Sequence, residues 1–141
     1  MDLVERAVSF ASGETQRFSA NGPGTSSVLS YAGESFDGVT VGLDDFATQK
    51  QLARLDFIKM DIEGAEESAL SGAESSIRKW RPSLAISAYH KADDILTIPN
   101  FLWNLDVGYS VYLDHFTTDY WETVVFARCD RGKNELRSCP S

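Results

Sequence analysis

The stretch "LDFIKMDIEGAEESALSGAESSIRKW", Leu55 to Trp80, decides the fold. Its core, "FIKM", is almost continuously apolar and broken only by Lys59, which suits a central strand buried on both faces. From Gly64 the period changes. Ala65, Ala69, Ala73, Ile77 and Trp80, with Leu70 alongside, recur at helical spacing. Gly72 is expected to weaken or bend this helix in the middle. Arg78 and Lys79 suit its C-terminus, and Pro82 ends it. The strand therefore stops in Asp61, Glu63 and Glu66, and a helix begins at once. Capping explains part of this, since Glu63, Glu66 and Glu67 complement the helix dipole and Asp61 can serve as an N-cap. The other reading makes these carboxylates the floor of a ligand site.

Outward from this stretch the elements continue in order. "SLAISAY" is the next buried strand. "DDILTIPNFLWNL" reads as a helix, or a helix pair interrupted at Pro99. "YSVYLDH" and "WETVVFA" are two strands joined by "FTTDY", a link too short for a parallel crossover, so they are antiparallel neighbours. Upstream, "LVERAVSF" (Leu3 to Phe10) and "ETQRFSA" (Glu14 to Ala20) read as strands joined through Ser12-Gly13. Asn21 to Ser35 reads as a loop, "VTVGL" as a short strand, and "DDFATQKQL" as a helix starting near Asp44. The fold class is α/β, an open sheet finishing in an antiparallel hairpin. Residues 1–128 make one domain and 129–141 a polar tail.

The chain has 141 residues and a net charge of −8. That charge argues against a nucleic-acid partner, because phosphate binding needs clustered Lys and Arg. No apolar run approaches a membrane span, and no charged-then-apolar leader opens the chain. Cys129 and Cys139 lack the nearby histidines of a zinc site and read as free thiols of a cytoplasmic protein. There is no phosphate-cradling glycine loop and no nucleophile elbow. Asp61, Glu63 and His90 have no diagnostic metal spacing, so no metal is expected.

In open α/β sheets, ligands bind outside the carboxyl ends of the parallel strands. Asp61 sits at that end of "FIKM", with Glu63 and Glu66 just beyond, and His90 at that end of "SLAISAY". If "YSVYLDH" runs parallel to these, His115 shares the rim, and so does Glu122 at the start of the returning strand. Both histidines of the chain are in this set. Each has a plainer reading: strand cap for His90, surface residue for His115 and Glu122. Tyr89, Tyr120 and Trp121 read as rim packing rather than a dedicated cage. The chemistry such a rim can perform is proton transfer.

"VGLDDF", "LDFIKMDIEGAEESALSGA", "RPSLAISAYHKADDILTIPNFLWNL", "YSVYLDHF" and "WETVVFA" together resemble the FkbM family of methyltransferases, in order, from about Leu3 to Ala127. "KMDIEGAE" and "ISAYHK" are the specific segments. The resemblance implies a Rossmann-like fold, S-adenosylmethionine as methyl donor, and O-methylation of a hydroxyl on a sugar or small metabolite. It aligns Lys59, Asp61, Glu63, Gly64 and Glu66 with the family's acidic motif and His90 with its histidine after the fifth strand. Asp61 then lies beside the methyl donor and orients the acceptor, His90 is the base, and Glu63, Glu66, His115 and Glu122 contact substrate. The family's glycine-rich first strand and acidic second strand have no counterpart here, and Ser9 and Phe10 stand where the family often has Gly-Asp. By this resemblance two βα units, about 60 residues or more, are missing, "FIKM" becomes an edge strand, and the first strand has no neighbour. A second chain completing the sheet is one way to satisfy that edge. The alternative function is an inert fragment that pairs this edge with another polypeptide.

Overall fold

A computed structural model of the chain describes residues 3–20, 26–27, 35–118 and 122–129. The polar tail from residue 130, with Cys139, as well as Tyr120 and Trp121, lies outside the described residues, and so does most of the loop read over Asn21 to Ser35. Among the described residues, eight strands and four helices form in the order β1 (Ala7–Val8), β2 (Thr15–Ala20), β3 (Ser26–Ser27), β4 (Ser35–Val41), α1 (Leu43–Gln49), β5 (Phe57–Met60), α2 (Glu66–Ser71), α3 (Glu74–Trp80), β6 (Ser83–Ser87), α4 (Asp94–Asn104), β7 (Tyr109–His115) and β8 (Thr123–Cys129).

The strands make two sheets, ordered β1-β4-β2-β3 and β5-β6-β8-β7. In the second, β5 pairs parallel with β6, and β8 runs antiparallel to both β6 and β7. The expected terminal hairpin is therefore present, and β7 runs parallel to β6. The core of this sheet is Leu84 and Ile86 of β6 and Val125 and Ala127 of β8, all buried, with Leu70, Ile77, Ile98 and Leu102 packed from the helices.

Three local expectations change. "FIKM" is not buried on both faces. As the edge of its sheet, β5 alternates, with Ile58 and Met60 inside and Phe57 56% exposed. Only the core side of an edge strand is covered, so its period becomes two. Pro99 does not interrupt α4, which is one helix through Asn104. Packing of Ile98 and Leu102 on the core outweighs the lost backbone bond. The first strand shortens to Ala7–Val8, and it does have a neighbour: it pairs parallel with Thr40–Val41 of β4.

Gly72 does more than bend the helix. It divides the helical stretch into α2 and α3, and Ser9 and Phe10 cross directly over it. The Asp44 N–H donates to the Gly72 carbonyl at 2.8 Å. The Asp44 carboxylate accepts from Ser76 N at 2.7 Å and Ser75 N at 2.9 Å. The acidic residue read as the start of α1 thus also caps α3, which has no cap of its own. Arg81, in the left-handed conformation, closes α3 ahead of Pro82.

Candidate active site

The parallel pairing of β5 and β6 puts their carboxyl ends side by side, and the residues that follow each strand meet there. After Met60 the chain turns sharply through Glu63 and Gly64, both at positive φ (56° and 94°). A non-glycine residue seldom takes that conformation. Here it starts α2 within a few residues of the strand end and brings Glu66 back toward Ile62, whose N–H donates to Glu66 Oε1 at 2.9 Å.

His90 follows β6 and sits among three carboxylates. Its Nδ1 is 2.8 Å from Glu66 Oε1, and its Nε2 is 3.7 Å from both Asp61 Oδ1 and Glu63 Oε2. The 2.8 Å contact misses the alignment of a full hydrogen bond, and Glu66 Oε2 is buried without a partner. It is a close carboxylate–imidazole contact, an ion pair when the ring is protonated. Burial divides the set. The His90 and Glu66 side chains are 4% and 0% exposed, whereas those of Asp61 and Glu63 are 40% and 41% exposed. Two carboxylates therefore face solvent in front of a buried histidine–carboxylate pair.

The electrostatics follow from this. Burial opposes the charge on His90, but Glu66, Glu63 and Asp61 outweigh it and raise its pKa. Burial likewise pushes the Glu66 carboxyl up, and contacts with His90 and Ile62 N more than reverse this. Asp61 is held below the ordinary carboxylate range: its partial burial is outweighed by hydrogen bonds from Tyr89 and Ser87 and by Lys59. Tyr89 OH donates to Asp61 Oδ1 at 3.0 Å, and Lys59 Nζ donates to Oδ2 at 3.3 Å. Burial, then Asp61, push the Tyr89 phenol up to about 12.

Of the expected site residues, Asp61, Glu63, Glu66 and His90 come together. His115 ends up on β7, on the far side of β8 from β6, and Glu122 stands just before β8, whose first residue Thr123 accepts from Ala88 N. His115 Nδ1 is 2.8 Å from Thr123 Oγ1, and the Glu122 carbonyl accepts from Phe116 N. Two groups escaped the sequence reading. Tyr89 is a hydrogen-bond donor to the site rather than rim packing. Asp94 is buried at the start of α4, accepts from Lys91 N at 2.8 Å, and has its pKa raised by burial and by the nearby Glu66. The pair Asp93-Asp94 at a helix start signalled only capping. A cavity of about 810 Å³ lies elsewhere, between residues 3–6, β4 and α1, away from the carboxylate–histidine cluster.

Asp61, Glu66 and His90 each offer a donor atom within 4.8 Å of the others. Such donors also serve divalent ions. In this cluster Glu66 Oε1 is engaged by Ile62 N and lies against His90, while Glu66 Oε2 and both ring nitrogens of His90 have no hydrogen-bond partner. No helix among the described residues is long and apolar enough to cross a membrane.

A family model described as the methyltransferase FkbM domain matches residues 2–111. The chain is also similar to the crystal structure of methyltransferase FkbM from Methylobacillus flagellatus KT at 2.20 Å resolution. Identity is 32% over 83% of this chain, with a TM-score of 0.60. The chain spans 26% of that protein's length. No protein of curated function matches it significantly. The acidic strand end and the histidine after the next strand both lie within the matched residues: this chain belongs to the FkbM methyltransferase family.

Proposed function

We propose that this chain forms the acceptor-side portion of an S-adenosylmethionine-dependent O-methyltransferase acting on a hydroxyl of a sugar or small metabolite, and that further strands complete it. The observation that carries this reading is His90 held between buried Glu66 and exposed Asp61 and Glu63. S-adenosylmethionine, when bound, supplies an electrophilic methyl group. The chain's own residues deal with the acceptor. Asp61 and Glu63 bind and orient its hydroxyl and face the donor's positive charge. His90 takes the hydroxyl proton at Nε2, the nitrogen that faces the rim. Lys59 and Tyr89 hold the Asp61 carboxylate in place. Glu66 is fully buried, so its part in the site is through His90 and not through contact with substrate. His115 and Glu122 fit the outer margin of an acceptor at most.

A second reading is favoured by the open edge of β5: an inert module on which a strand from another chain pairs along Phe57–Met60. Calorimetry and turnover separate the two. The purified chain is expected to bind S-adenosylhomocysteine more weakly than micromolar, about 8 kcal/mol, because the glycine-rich and ribose-binding strands of the family are not among its motifs. Joined to an amino-terminal FkbM half, it is expected to bind the cofactor and turn over. Asp61→Asn in that complete enzyme should lower turnover and cofactor affinity together, since its carboxylate serves both. A completed protein with neither heat nor turnover would leave the pairing module as the better reading.

A further inference from the structure

Glu66 has features an ordinary capping glutamate lacks. It is fully buried, although burying a carboxylate is costly unless its charge is matched. The acid is anchored by Ile62 N on one side and meets His90 Nδ1 at 2.8 Å on the other. The opposite ring nitrogen faces the exposed end of the cluster, 3.7 Å from Asp61 and Glu63. His90 is thus two-sided, with a buried acid at Nδ1 and, at Nε2, itself buried and without a hydrogen-bond partner, the two part-exposed carboxylates that form the rim.

We infer that Glu66 is the positioning residue of His90: it holds the neutral imidazole with its proton on Nδ1, so that the Nε2 lone pair is directed at the rim between Asp61 and Glu63. This rests on the reading of His90 as proton acceptor for its effect on turnover, but its geometry does not. The physical reason is that a buried carboxylate oxygen 2.8 Å from Nδ1 favours the proton on that nitrogen, and a neutral imidazole protonated on one nitrogen presents the other as the acceptor. A base with its proton on the wrong nitrogen cannot accept another at the reacting end. Glu66 is anchored from within its own turn of chain by Ile62 N, independently of His90, which comes from the end of β6. Other charged groups bear on the ring as well. Asp61 and Glu63 face it from the end of β5 and Tyr89 sits beside it. Lys59 acts through Asp61, and Asp94 of α4 acts through Glu66. None of these acts at Nδ1 directly.

The test is nuclear magnetic resonance of the 141-residue chain labelled with ¹⁵N. Its two histidines are separated by a His115→Gln variant. Above the pKa of His90, the ring is expected as the Nδ1–H form, with Nε2 unprotonated. Glu66→Ala should abolish that preference and lower the His90 pKa, with Glu66→Asp partly restoring both. In the complete enzyme, Glu66→Gln should lower kcat by about 10- to 100-fold, the usual cost of losing a partner that orients a functional histidine, with acceptor KM little changed. A wild-type ring in the Nε2–H form would overturn the inference, whether or not the variants fold. An Nδ1–H ring together with full turnover in a His90→Ala enzyme would support Glu66's hold on the ring and overturn only the base assignment.

Discussion

In the complete enzyme, His90→Ala lowers kcat by about 10²–10⁴-fold, the usual contribution of a general base, with little change in cofactor affinity. Methyl transfer to an alcohol needs the hydroxyl proton removed, and in the proposed mechanism His90 Nε2 accepts it once the ring is neutral. The pH dependence distinguishes a base from a spacer. Three carboxylates raise the His90 pKa above its ordinary 6.5, against the opposing effect of burial. A raised pKa leaves the ring protonated, and so unable to accept, until the pH passes that higher value. Wild-type kcat should therefore climb with pH through a midpoint above 6.5. His90→Ala should flatten that limb as well as lower it. Steady-state rates from mildly acidic to alkaline pH measure both. Near-normal turnover of the variant at neutral pH would return His90 to the role of strand cap and pass the base to His115, which holds Thr123 at the neighbouring hairpin.

Gly72→Ala destabilises the fold by about 1–3 kcal/mol, the usual cost of forcing extra atoms into closed packing. A Cβ at this position would fall inside contact distance of the Ser9 carbonyl oxygen and 2.9 Å from Phe10 Cα. Both obstacles are backbone, so no rotamer change relieves them. Relief requires residues 9–10 to lift off the helices. That movement would also strain Ser9 Oγ and Phe10 N on Ser68 Oγ, each at 3.1 Å, and Asp44 N on the Gly72 carbonyl. Thermal unfolding should show a lower midpoint, and amide exchange should rise first in β1 and β4. An alanine variant as stable as the wild type would mean that the first sheet is not seated on α2 and α3 as described. The expectation runs opposite to helix propensity, which favours Ala over Gly.

The period change at Gly64, the apolar runs of β6 and β8 and the short link after His115 are local signals, and each produced the element it announced. The same holds for the placement of Asp61 and His90 at neighbouring strand ends, which needs only the parallel pairing of "FIKM" with "SLAISAY". Other features depend on partners distant in the chain. Whether "FIKM" is central or at an edge depends on which strand lies beside it, and its own four residues carry no record of that. Asp44 capping α3 across 31 and 32 residues follows from packing of α1 on α3, which helical periodicity cannot express.

Composition and periodicity by themselves determined an α/β chain with carboxylates and a histidine gathered at the carboxyl ends of its strands. Tertiary structure alone decided how those residues divide. Asp61 and Glu63 remain in water, while Glu66, in the same short acidic run, is fully buried against His90. The physical reason is that a carboxylate's role depends on its solvation and its counter-charge. Both are set by the turn through Glu63 and Gly64 and by the packing of α2 beside β6, and the letters of the motif are the same whichever way they face.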